Sequence, residues 1–158
     1  MTPNSPKQYK NFPILDFPVY EFNIRAKGIE DEIWDFTRKK FIKLTPEEWV
    51  RQHALHFLTK TLHYSSGMVK TEWGHKYNSV QKRTDILVYG KDFQPFILCE
   101  CKAYNVPINR VVMEQAVVYN KTVGADYLYI TNGKVHLCLF LNKELGRYEP
   151  ANELPANG

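Results

Sequence analysis

The stretch TDILVYGKDFQPFILCECKA, residues 84–103, decides how this chain is read. Two runs rich in β-branched and aromatic residues, "TDILVYG" and "PFILCECKA", flank Lys91-Asp92-Phe93-Gln94, a separation that suits a hairpin. Side chains alternate along a strand, so Leu98, Glu100 and Lys102 share one face while Cys99, Cys101 and Ala103 share the other. A strand apolar enough for the centre of a sheet thus carries a carboxylate and an ammonium side by side. If the two runs pair, Asp85 on the first strand approaches Glu100 on the second.

Two carboxylates and a lysine converging beside a sheet suit one task well. The carboxylates hold a hard divalent cation, Mg²⁺ by its preference for oxygen ligands and retained waters, while the ammonium orients a water against a phosphodiester. The plainer reading is an ion pair, since Glu and Lys two apart on a strand also form solvated polar faces. Glu and Lys are rarely buried without partners, so the flanking Phe96-Ile97-Leu98 weighs toward a functional pair.

Working outward, a helix is signposted from Thr45, with Pro46 at the first helical position and Glu48 placed to close a capping box. Val50, Ala54, Phe57 and Leu58 give it an apolar face, and it is expected to end between Tyr64 and Gly67. The runs 67–74, 84–90 and 95–103 read as strands, and residues 109–123 as a second helix closed by Gly124. Two more strands surround Asn132-Gly133, a strong hairpin signal. Before the first helix, residues 19–27 and 31–36 flank a turn at Gly28 and read as a further hairpin. The expectation is an α/β (α+β) fold: a mixed central sheet of four to five strands flanked by helices, with an N-terminal β-hairpin extension.

As domains, the 158 residues read as one unit. Residues 1–44 form the extension, 45–141 the core and 142–158 a C-terminal tail. Apolar residues make up 44% and charged residues 24%, a composition that excludes a disordered chain. The net charge of +4 is compatible with an anionic partner but too small for a DNA-coating protein. No apolar run approaches the roughly 20 residues that span a bilayer, so a cytoplasmic protein with no membrane partner is expected. Three Cys, an odd number, argue against a disulfide framework, and Cys99, Cys101 and Cys138 read as reduced packing residues.

These residues resemble a known family. Asp85, Glu100 and Lys102 look like the D-(spacer)-E-x-K signature of the PD-(D/E)XK nuclease superfamily. More narrowly, "TPEEWVRQ", "RTDILVY", "ILCECKA", "EQAVVYN" and "YLYITNG" occur in the order found in the N-terminal nuclease domain of type I restriction enzyme R subunits. The resemblance spans about residues 30–140. It departs from the superfamily pattern in having Thr84 before Asp85 instead of Pro. The sequence also holds no GxxxxGK[ST] loop, so the resemblance implies a nuclease-like domain standing without a motor.

What the resemblance implies is a restriction-endonuclease-like core and a Mg²⁺-dependent DNA endonuclease, with Mn²⁺ as a substitute. Asp85 and Glu100 are the implied metal ligands, with the carbonyl of Cys101, and Lys102 the residue that positions water. A glutamate on the first helix is implied to complete the cluster, and two compete. At about 100° per residue, with Glu47 at zero, Val50, Ala54, Leu58 and Phe57 fall near 300°, 340°, 20° and 280°. Glu47 lies inside that apolar arc and is preferred, and Glu48 at its edge is the alternative. An ordinary pairing of Glu47 with Arg51, four residues on, stays open.

On the second helix, Gln115 and Tyr119 are four apart and share a face, and the resemblance implies that they hold substrate or support the cluster. Lys82 and Arg83, with Arg38, Lys39, Lys40 and Lys43, are candidates for contacts to DNA phosphates. Glu72, Trp73 and His75 are weaker candidates for the cleft wall. The implied partner is DNA, with a homodimer or a separate recognition protein as further expectations. A binding module of nuclease fold acting without turnover in a larger complex is the alternative function.

Overall fold

Alternating apolar and polar residues, cut by turn-forming ones, build two sheets in this protein. The structure is a computed structural model and describes residues 9, 11–77 and 80–158, with side chains described for 9, 11–71 and 85–158. The smaller sheet holds β1 (Ile24–Lys27), β2 (Glu30–Asp35) and β3 (Lys40–Lys43), all antiparallel in the order β1-β2-β3. Gly28, with φ of +65°, turns the expected hairpin. From sequence, β3 reads only as a basic approach to the helix. Its Phe41 and Ile42 pair with Trp34 and Ile33, and two apolar residues between lysines are too short a pattern to declare a strand.

α1 (Pro46–His56) starts where the sequence marks it, with the Thr45 hydroxyl accepting from the Glu48 amide at 3.1 Å. It runs on through a π-helical turn, Phe57–Thr61, in which the Leu62 amide donates to the Phe57 carbonyl. His63 then takes a positive φ of 62°, so the helix stops short of the expected Tyr64 to Gly67.

The main sheet contains β4 (Val69–Tyr77), β5 (Val80–Tyr89), β6 (Pro95–Cys101), β7 (Tyr127–Thr131), β8 (His136–Asn142) and β9 (Arg147–Pro150), in sequential order. Among the described residues only β6 and β7 pair in parallel, and α2 (Arg110–Val123) makes the crossover between them. Asn109 caps α2 and Gly124, in the left-handed region, closes it. Six strands form where four to five were expected. The sixth, β9, lies in residues 142–158, expected as a tail. There Tyr148 pairs with Leu141, Leu154 is buried, and the Tyr64 hydroxyl donates to the Pro155 carbonyl at 2.6 Å. "RYEP" carries two charges and a proline and offers no apolar alternation, which hid it.

Pleating sends alternate side chains to opposite helices. Ile86, Val88, Ile97, Cys99 and Cys101 pack with Trp49, Val50, Leu55 and Leu58 of α1 and its extension. Leu87, Leu98, Leu128 and Ile130 pack with Ala116, Tyr119 and Val123 of α2. The main sheet is therefore the middle of three layers. Cys99 and Cys101 are buried free thiols with Sγ atoms 3.8 Å apart. Among the described residues, no helix is long and apolar enough to cross a membrane.

α1 also buries His53 and His56, whose Nδ1 atoms sit 2.8 and 2.9 Å from the Trp49 and Gln52 carbonyls. Burial pushes both imidazoles down to about 4, because a charged ring among Phe22, Trp49 and Phe36 loses its hydration. Well above pH 6.5 both rings are neutral in the folded and unfolded chains and contribute no pH dependence. Between about 6.5 and 4 the unfolded chain binds protons that the folded rings refuse, so stability falls as pH drops, on the order of 1–2 kcal/mol per ring by pH 5. Urea midpoints at pH 7 and pH 5 check this. The gap between them should shrink in a His53→Gln, His56→Gln variant, and an unchanged gap would assign the acid sensitivity to other groups.

Candidate active site

The β5–β6 register pairs Ile86 with Cys99, and one further step along it sets Asp85 beside Glu100. There the two strands cease regular pairing, and the Asp85 carboxylate bridges them. Its Oδ2 accepts from the backbone amide of Cys101 at 2.8 Å, and its Oδ1 accepts from Arg51 Nη2 at 2.7 Å. One aspartate thus ties β5 to β6 and both strands to α1.

Glu100 shares this end of the sheet. Burial and, next, the charge of Asp85 push its carboxyl up to about 8, and a hydrogen bond with Asp85 also favours the protonated form, while Lys102 opposes them. Two carboxyl groups this close resist ionising together. Lys102 follows β6 directly, its amide donating to the Thr131 carbonyl at 2.9 Å, so β7 fixes the backbone from which its side chain reaches. Its ammonium acts on Glu47 as well as on Glu100.

The two helix glutamates part company. Glu47 keeps 46% of its side chain exposed, and its carboxyl is raised by partial burial and then by the Asp85 charge, against the pull of Arg51 and Lys102. It also accepts from Arg51 Nη2 at 2.9 Å, so the ordinary i,i+4 pairing exists alongside its approach to the cluster. Glu48 is buried, and instead of closing the expected capping box its carboxylate takes bonds from Arg38 Nη2 at 2.8 Å, from Gln52 Nε2 at 3.0 Å and from Arg51 Nη1. With two guanidiniums and an amide upon it, Glu48 is saturated; Glu47 is the helix carboxylate turned toward Asp85, Glu100 and Lys102.

From sequence, Arg51 reads only as a partner of Glu47. It joins Glu47, Glu48 and Asp85, and those acidic neighbours hold it charged against the cost of burial. Arg38, expected to meet DNA phosphates, turns inward to Asp35 and Glu48 instead. Lys39 and Lys40 are exposed, and Lys43 pairs with Glu30. Asp35 is fully buried, and it accepts from Thr37, from Arg38 and, at 2.9 Å, from Gln52. Only the i,i+3 and i,i+4 spacing of Arg51 to the two glutamates signalled any of this. Asp35 and Arg38 carried no sequence signal.

Gln115 and Tyr119 are four residues apart, yet Tyr119 is buried in the core beneath α2 while Gln115 is exposed. The side chains of Lys82 and Arg83, and those of Glu72, Trp73 and His75, lie outside the described residues. Among the described residues, no group of three or more His, Cys, Asp and Glu is gathered as a metal site. The pair that does meet, Asp85 and Glu100, offers only oxygens and repels itself. That donor set fits Mg²⁺, which binds through one or two carboxylates and keeps its waters.

No curated protein matches this chain. A solved fragment of a protein assigned as an HsdR subunit of a type I restriction enzyme from Vibrio vulnificus YJ016 is similar in fold, with a TM-score of 0.50 and 24% identity. The likeness covers 72% of this chain and 24% of that one, so the chain spans about a quarter of the structure it resembles. The family model for the type I restriction enzyme R protein N terminus (HSDR_N) matches residues 46–155, from the first residue of α1 to just beyond β9. The chain belongs to the family of type I restriction enzyme R protein N termini.

Proposed function

We propose that this domain is a Mg²⁺-dependent DNA endonuclease of the PD-(D/E)XK type, acting as part of a restriction assembly. The observation that carries the reading is the meeting of Asp85 and Glu100 on adjoining strands, beside Lys102. A carboxyl pair that resists joint ionisation is a poor structural element but a good receiver of a divalent cation. Asp85, Glu100 and the Cys101 carbonyl would hold Mg²⁺ or, as substitute, Mn²⁺. When bound, such an ion would supply positive charge to the phosphodiester oxygens as negative charge builds on them.

The protein's own groups divide the remaining work. The Lys102 ammonium holds the hydrolytic water and a phosphoryl oxygen by hydrogen bonds, favouring attack at phosphorus and departure of the opposite ester oxygen. Glu47, at the mouth, accepts from water in the site. Gln115, exposed on α2, meets substrate, buried Tyr119 supports the strands behind the cluster, and Lys82 and Arg83 add contacts to the DNA backbone.

Plasmid cleavage tests the proposal. Nicking or linearisation is expected with Mg²⁺ or Mn²⁺, abolished by EDTA and by the Asp85→Asn, Glu100→Gln double variant. If the wild type binds DNA with a steep salt dependence and leaves it uncut under both metals, a module binding without turnover is the better reading.

A further inference from the structure

Between the N-terminal sheet and the active site runs a chain of alternating charge: Asp35, Arg38, Glu48, Arg51, Asp85. Arg38 donates to Asp35 at 2.7 Å and to Glu48 at 2.8 Å, and Arg51 spans Glu48 and Asp85. Gln52 adds a cross-brace, its Nε2 donating to Asp35 at 2.9 Å and to Glu48 at 3.0 Å. Asp35 is fully buried, and Glu48 and Arg51 nearly so. Asp35 ends β2 and Arg38 follows in the turn to β3, so both stand before residue 46, where the family match begins.

Surface ion pairs are slack, but a ladder whose members keep at most 14% of their side chains exposed has few alternative geometries. Arg51 holds Asp85 Oδ1 from α1 while the Cys101 amide holds Oδ2 from β6. Each oxygen keeps a second lone pair for another partner, so the two bonds aim the carboxylate without saturating it. Because the guanidinium also holds Glu47 at 2.9 Å, one planar fork sets the spacing between the helix carboxylate and the strand carboxylate.

We propose that Arg51 is the positioning residue for Asp85, and that Glu48, Arg38 and Asp35 hold Arg51 in turn, making the N-terminal sheet a working part of the cation site. The inference rests on the nuclease reading. A bystander positive charge predicts the opposite sign from a positioning residue: the bystander repels a divalent cation, so losing it tightens binding, whereas an aiming residue's loss weakens binding. Arg51→Lys separates the two because it keeps the charge and loses the fork.

The test is thermal stabilisation of the whole chain by Mn²⁺ alone, with no DNA, measured for wild type, Arg51→Lys, Glu48→Gln and the Asp85→Asn, Glu100→Gln double variant. Arg51→Lys is expected to raise the half-saturating Mn²⁺ concentration about 10- to 100-fold, as loss of a group orienting a metal ligand does. Glu48→Gln is expected to raise it several-fold, and covers the case in which Arg51→Lys does not fold. A purely structural role would lower the metal-free melting temperature and leave half-saturation unchanged, and that result in both variants would overturn the proposal. Wild type unmoved by Mn²⁺, or stabilised equally in the double carboxyl variant, would overturn the nuclease reading and this inference with it.

Discussion

A Lys102→Met variant is expected to fold like the wild type and to cut plasmid DNA at least about 100-fold more slowly under saturating Mg²⁺. The Lys102 amide is held by the Thr131 carbonyl, so the residue stays in place whatever its side chain is. Methionine preserves the aliphatic reach of lysine and removes only the ammonium. Because that ammonium counters the crowding of Glu47 and Glu100, its loss also leaves their shared negative charge less balanced. Two effects then add: water and phosphate lose a charged donor, and the carboxyl cluster loses its nearby cation. Lys102→Arg keeps the charge but changes donor geometry and should recover only part of the rate. The measurement is single-turnover cleavage with DNA binding followed separately, since the loss belongs in the rate and not in affinity. Wild-type cleavage by Lys102→Met would remove Lys102 from the mechanism.

The sequence made the centre of this fold legible because its physics is local. Thr45 and Pro46 announce α1, Asn109 and Gly124 bound α2, and Asn132-Gly133 turns β7 into β8, each through chemistry within a few residues. The convergence of Asp85 with Glu100 was also readable, since a four-residue separation between two β runs sets the register. What escaped was long-range or pattern-poor. β3 and β9 are four residues each and take their stability from pairing with a neighbour. The helical wheel favoured Glu47 over Glu48 from its angular position. The physical separation between them comes from Arg38, Arg51 and Gln52, which saturate Glu48. Arg38 lies ten residues before Glu48 and reads as one of a run of surface cations. No period or motif reports that one member of such a run turns inward.

Arg51→Met should be the most destabilising single change in the charge ladder, costing about 3–5 kcal/mol in urea unfolding at neutral pH. Burying an ion pair returns little net stability, but breaking one leaves a charge stranded without water. Removing the guanidinium takes a cation from three carboxylates: Asp85 keeps the Cys101 amide but loses its ion pair, Glu48 keeps Arg38 and Gln52 but loses one of its two guanidiniums, and half-exposed Glu47 turns to solvent. Asp35 at the far end is protected, because Thr37, Arg38 and Gln52 all still reach it, and against the cost of burial the bonds from Thr37 and Arg38 hold its carboxyl below the ordinary range. The damage is therefore expected to concentrate at the active-site end. A double-mutant cycle with Asp85→Asn measures this. Neutralising Asp85 in the Arg51→Met background should recover part of the loss, where the same change in the wild type should cost stability by taking from buried Arg51 one of its three carboxylates. Additive losses would mean that Arg51 and Asp85 are not coupled and that the ladder ends at Glu48. A coupling of roughly 1 kcal/mol or more would establish that stability and cation-site geometry pass through the same guanidinium, so that neither can be altered at Arg51 without the other.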